Sequence, residues 1–176
     1  GPSTTQYKVL STNTGNNVFL APFSADLGVG ATGAATIRWE QVGDEIVIQW
    51  SNFRRWAKVE SFSFQARLNT TNGVIKFVYN GTPPYATSTD YQPQVGIKNS
   101  TASYRGLTVG TSGNWNTPAQ ITTGISDSSI ATFNGVIGFT SGLTYTFTPP
   151  VQCNATPVAG TISGALIRYI CSGSAP

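Results

Sequence analysis

Apolar and polar residues alternate along this chain with a period of two, and no stretch sustains the 3.6-residue apolar period of an amphipathic helix. Such alternation sends one set of side chains to a core and the other to water, so it demands half-buried strands. Residues 61–68 are the clearest case, with Phe62, Phe64, Ala66 and Leu68 pointing one way and Ser61, Ser63, Gln65 and Arg67 the other. Residues 45–52 repeat the pattern with Ile46, Ile48 and Trp50 inward, while Val47 implies that their second face is partly covered. Residues 35–41 and 74–79 complete a run of four. Val42-Gly43-Asp44 is a short turn, and residues 69–73 end in an Asn-Gly pair that tolerates positive φ, so the four strands are expected to form an antiparallel meander.

Weaker strands are expected at 94–98, 104–109, 120–125 and 136–139, and a strong one at 143–148, where Leu143, Tyr145 and Phe147 alternate with threonines. Pro83, Pro84 and Pro93 keep central strands out of the loop 81–93. About nine short strands at close spacing predict an all-β fold, an antiparallel β-sandwich of jelly-roll or lectin-like type over residues 1–150. Its predicted core holds Ile46, Ile48, Trp50, Phe62, Phe64, Leu68, Ile75, Phe77, Tyr145 and Phe147. Pro149-Pro150 reads as a linker. Residues 151–176 are then a tail, either the start of a second module or a strand for donation: Ala165 to Cys171 alternates Leu166, Arg168 and Ile170 against Ile167, Tyr169 and Cys171. A disulfide between Cys153 and Cys171 would close a loop of nearly twenty residues and stabilise it by about 3 kcal/mol in an oxidising compartment. The other reading is two buried free thiols.

Composition narrows the chemistry. Charged residues make up 10% of the 176, against roughly 25% in soluble proteins, while Thr, Ser and Asn number 53, so hydroxyls and amides carry the solubility. With no His and only two Cys, a Ser-His-Asp triad, a Cys-His dyad or a His-ligated zinc site cannot be built within these residues. A net charge of +3 lacks the dense basic stripe that nucleic acid requires, and no apolar run approaches the about 18 residues of a membrane span. The start at Gly1-Pro2-Ser3 fits either a protease scar or a mature end left after signal-peptide removal. Four N-x-Ser/Thr tripeptides begin at Asn69, Asn80, Asn99 and Asn154, and matter only in a host that glycosylates them.

Three blocks, Glu45-Ile46-Val47-Ile48-Gln49-Trp50-Ser51-Asn52, Phe62-Ser63-Phe64-Gln65-Ala66-Arg67-Leu68-Asn69 and Gly73-Val74-Ile75-Lys76-Phe77-Val78-Tyr79, are flanked by the segment 19–27 (FLAPFSADL) and the closing segment 141–150. Together they resemble a lectin-like β-sandwich found near the N terminus of large secreted surface proteins of Bacteroidota, commonly exported by type IX secretion. The resemblance spans residues 18–150 and implies an extracellular or cell-surface location. Cys153-Asn154-Ala155-Thr156-Pro157 and Cys171-Ser172-Gly173 resemble the opening of the immunoglobulin-like repeats that follow such sandwiches. Members usually carry further strands before the Ala-Pro-Phe segment, and the repeat here stops at Pro176, so both ends are expected to be cut, by cloning or natural processing, or to be completed by another chain.

The seven carboxylates, Asp26, Glu40, Asp44, Glu45, Glu60, Asp90 and Asp127, are the only acid–base groups on hand. A glycosidase needs two of them across one cleft. Asp44 and Glu45 share a tight turn, so their side chains are expected to diverge into solvent. Asp26 with loop carbonyls is the best candidate for calcium against a structural hydrogen-bonding role; no metal and no cofactor are expected. The densest feature is Phe53-Arg54-Arg55-Trp56-Ala57-Lys58, with three positive charges and two aromatics between two strong strands. An aromatic ring stacks on a sugar face and Arg forks bind carboxylate or sulfate, so Phe53, Arg54, Arg55, Trp56 and Lys58 form the candidate ligand site. The bland alternative has Trp56 capping the core while the arginines are solvated. Tyr85, Tyr91 and Trp115 make a second group of loop aromatics. The expected function is a non-catalytic extracellular module for adhesion or glycan binding, with a surface glycan or protein as partner. The alternative is a structural subunit that homo-polymerises through sheet-edge pairing and strand exchange.

Overall fold

The computed structural model describes residues 10, 18–29, 33–56, 58–81, 91–100, 103–121 and 130–150. The tail 151–176, with Cys153, Cys171 and the expected donor strand, lies outside them. The described chain is all-β and forms two antiparallel sheets that do not close into a barrel, a β-sandwich. Ten strands run in order: β1 (Phe19–Ser24), β2 (Leu27–Val29), β3 (Thr36–Val42), β4 (Glu45–Arg55), β5 (Phe62–Asn69), β6 (Ile75–Asn80), β7 (Gln94–Ser100), β8 (Ser103–Thr108), β9 (Ala119–Ile121) and β10 (Thr144–Phe147).

The meander β3-β4-β5-β6 forms as its alternation and turns predict. Gly43 and Gly73 adopt φ of 59° and 70°, the left-handed conformation that closes both hairpins. The larger sheet runs β10-β6-β5-β4-β2, with β3 lying on the same edge of β4 as β2. The smaller sheet runs β1-β7-β8-β9. Its β1 carries the centre of the core: the Phe23 ring lies 5.3 Å from Phe62, 5.9 Å from Phe64 and 5.3 Å from Phe133. Trp115 and Phe139 complete the aromatic cluster and are fully buried. Buried polar groups in it are satisfied: Tyr79 donates to the Pro22 carbonyl at 2.7 Å and Trp115 Nε1 to the Thr132 carbonyl at 2.8 Å. Burial pushes the Tyr79 hydroxyl well above its ordinary value, so it stays a donor.

Within the smaller sheet β7 and β8 approach closely at Gly96, where a Cβ would meet the Arg105 carbonyl oxygen at 2.1 Å and Leu10 Cδ1 at 2.9 Å. Only glycine fits there. Leu10 is itself fully buried, its amide donating to Gln94 Oε1 at 2.9 Å.

Three expectations need correction. Residues 136–139 are not a strand, because Asn134 Oδ1 accepts from the amides of Val136 and Ile137 and its own amide donates to the Ile137 carbonyl, closing a local turn in place of a ladder. Glu45 does not diverge into solvent: it sits on the outer face of β4 between Arg67 Nε at 2.8 Å and Lys76 Nζ at 3.0 Å. The Lys76 hydrogen bond, with Arg67 behind it, holds its carboxyl below the usual value. Ile46 and Ile48 point to the inner face, as predicted, yet are only half-buried.

The last point has a geometric cause. The inner face of the larger sheet continues through Ile46, Ile48 and Trp50 of β4 to Ile37 and Trp39 of β3, since Trp39 pairs with Ile48 and Ile48 with the buried Ala66. The larger sheet is wider than the sheet that covers it. Ile37 and Trp39 are therefore 60% and 75% exposed, while Phe62, Phe64 and Phe77 on the same face are at most 2% exposed.

Candidate functional site

Strict alternation along β4 would send Trp50, Asn52 and Arg54 inward. Opposite β5, however, Trp50 pairs with Phe64 and Phe53 with Phe62, so that Ser51 and Asn52 together face the single residue Ser63. The extra residue is a bulge at Asn52, whose φ of 58° is left-handed and whose amide donates to Ser63 Oγ at 3.2 Å. Asn tolerates this conformation better than most residues. The bulge reverses the faces of the strand end: Phe53 and Arg55 turn inward, Arg54 and Trp56 outward.

The bulge therefore splits the candidate cluster. Arg55 is fully buried, its Nε 2.6 Å and Nη2 2.8 Å from the two Glu60 oxygens, with Nη1 donating to the Phe133 carbonyl at 3.3 Å. Its guanidinium also lies 5.2 Å from the Phe133 ring centre. A bidentate pair so enclosed pins the strand end to the core and offers no fork to a ligand. The expected Arg54/Arg55 pair thus does not form. Phe53 is half-buried against the core cluster.

Arg54 and Trp56 remain together outside, over Gly28, and the Lys58 backbone carbonyl accepts from Arg54. The Trp56 amide donates to the Asp26 carbonyl at 3.1 Å, and its ring lies over Gly28, where a Cβ would sit 3.4 Å from Trp56 Cε3. Trp56 nevertheless stays 64% exposed. Arg54 Nη1 donates to the Lys58 carbonyl at 2.7 Å, while its Nε is shielded from solvent without a hydrogen-bond partner.

Other expected features turn out structural. Trp115 is core, and the Tyr91 hydroxyl donates to the Asp26 carbonyl, so these two form no loop platform; Tyr85 lies outside the described residues. That carbonyl, taken by Trp56 and Tyr91, is committed to the β1–β2 turn, and among the described residues no group of three His, Cys, Asp or Glu side chains converges on a metal position. Two surface depressions, of about 340 and 360 Å³, flank Arg105 and Phe147 and are lined by no carboxylate. Asp90 and Asp127 fall outside the described residues. Trp39 is the exposed aromatic that periodicity missed, since alternation marks it as inward and says nothing of what covers it.

Fold and site together define an all-β sandwich module with an exposed aromatic–basic corner and no helix long and apolar enough to cross a membrane among the described residues. The chain belongs to the NIDO-related family, whose model matches residues 1–149. Domains of that family are extracellular, which supports an extracellular or secreted location for this one. No curated protein and no solved structure matches the chain.

Proposed function

We propose that this domain is a non-catalytic adhesion or glycan-binding module of a secreted surface protein, of the kind that Bacteroidota export by type IX secretion and extend with immunoglobulin-like repeats. The observation that carries the proposal is the corner where Trp56, 64% exposed, lies over Gly28 beside Arg54 and Lys58. A residue whose backbone is anchored to Asp26 and whose ring lies over Gly28 offers a flat apolar face, and the neighbouring cations favour an anionic sugar or an acidic protein segment. A glycan array that includes sulfated and uronic-acid sugars tests it. Trp56→Ala and Arg54→Gln should each lower the signal by about tenfold, a loss typical of a principal contact. Binding that neither change alters would sink the assignment.

The second reading, a surface subunit assembled by exchange of the segment around Ile167 and Tyr169, is favoured by the outer edge of β3, which no strand pairs among the described residues. Sedimentation of the whole chain beside one ending at Pro150 tests it. If both remain monomers, strand donation is excluded.

A further inference from the structure

Edge strands expose unpaired amides and carbonyls, and proteins usually blunt them by shortness, proline, bulges or charge. Four of the edges described here follow that rule. β2 and β9 have three residues each and β10 four, with Pro149 two residues beyond its end. β1 contains Pro22 and breaks register between Ala21 and Ser24. β3 does not follow it: its seven residues pair with β4 in unbroken register, contain no proline, and present Ile37 and Trp39 to solvent on the inner face.

We propose that β3 is a docking edge for β3 of a second copy of this chain, giving a two-fold dimer with one sheet continuous across both sandwiches. Two-fold pairing about an axis normal to the sheet keeps inner faces on one side, so a residue on β3 can face only partners of its own parity. Centring the axis on Arg38 sets Arg38 against Arg38, and centring it on Glu40 sets Glu40 against Glu40. Like charges directly opposite each other are unfavourable. Centring it on Trp39 instead sets Arg38 opposite Glu40 of the second copy and Glu40 opposite its Arg38, both on the outer face, with the two Trp39 rings adjacent on the inner face. Thr36 then meets Val42, and Ile37 meets Gln41. That register is self-complementary in charge, and it sets the exposed Trp39 rings of the two copies side by side. The net charge of +3 adds little repulsion between copies. The interface does not involve Trp56, so it stands or falls apart from the glycan-binding reading; it competes with strand exchange for the same edge of β3, and a dimer that persists in a chain ending at Pro150 separates the two.

Charge reversal at exposed β3 positions tests the register. Sedimentation equilibrium of the whole chain should show a reversible monomer–dimer equilibrium. Arg38→Glu alone and Glu40→Arg alone each set like charges opposite one another at two symmetric places, and each should weaken the dimer by about tenfold. The double swap restores opposite charges and should recover most of that loss, while circular dichroism checks that all variants keep the sheet. A chain that stays monomeric at high concentration, a polymer in place of a dimer, a dimer indifferent to the single swaps, or a double swap no better than the singles would each overturn the proposal.

Discussion

The inner face of the larger sheet carries the same alternation at both ends, yet its two ends have opposite fates. Beneath the smaller sheet, Phe62 and Phe64 are buried against Phe23, and Phe77 against Phe147; past its edge, Ile37 and Trp39 face solvent and Ile46 and Ile48 are half-buried. Periodicity assigns a face, and the opposing layer decides whether that face is core. Two chemically similar rows of side chains thus meet different surroundings, one packed into the core and the other left open to the docking proposed above.

That contrast predicts a graded response to substitution. The largest effect belongs under the cover: Phe64→Ala, which removes a ring packed against Phe23 and stacked 5.2 Å from Trp50, should cost about 3–5 kcal/mol in chemical denaturation. Glu60→Ala follows at about 3 kcal/mol, because it leaves the Arg55 guanidinium charged and enclosed at the covered end of β4. Gly96→Ala should cost about 1–3 kcal/mol by forcing β7 away from β8. In dilute protein Trp39→Ala should move stability by less than about 0.5 kcal/mol, although it removes the largest side chain of β3. A cost comparable to that of Phe64→Ala would erase the distinction between the two ends.

The smallest effect lies on the outer face and depends on pH. Lys76 and Arg67 hold the Glu45 carboxyl below its ordinary 4.5, so the charged form favours the folded state. This contribution is complete above the ordinary value and is lost as pH falls through the lowered one. Glu45→Gln should therefore reduce the thermal midpoint slightly at neutral pH, and the difference from the parent should close under more acidic conditions. A gap that widens with acid would contradict the ion-pair reading.

The parts of the fold legible in the sequence were those written in local chemistry. The meander from Thr36 to Asn80 combines alternation with Asn-Gly and Val-Gly-Asp turns, and both signals agree. β1 escaped because Phe19-Leu20-Ala21-Pro22-Phe23 does not alternate, yet its Phe23 stands at the centre of the core. Residues 136–139 misled because short apolar runs fit a strand until a side chain such as Asn134 captures the backbone. The candidate site was half legible. Arg54, Trp56 and Lys58 emerged from composition alone, but the burial of Arg55 depends on one inserted residue at Asn52, whose cue is no more than an Asn within a strand. The exposure of Trp39 depends on sheet width, a tertiary quantity that no window of residues contains.

Residue-resolved amide hydrogen exchange, recorded on dilute and on concentrated protein, tests the contrast between the two ends most directly. The amides of Phe64, Ala66 and Phe77 should be equally slow in both samples, opening only with global unfolding. The β3 amides turned away from β4 should exchange rapidly in dilute protein and slow down as concentration rises. Outward β3 amides as protected in dilute protein as those of β5, or unprotected at every concentration, would contradict the account.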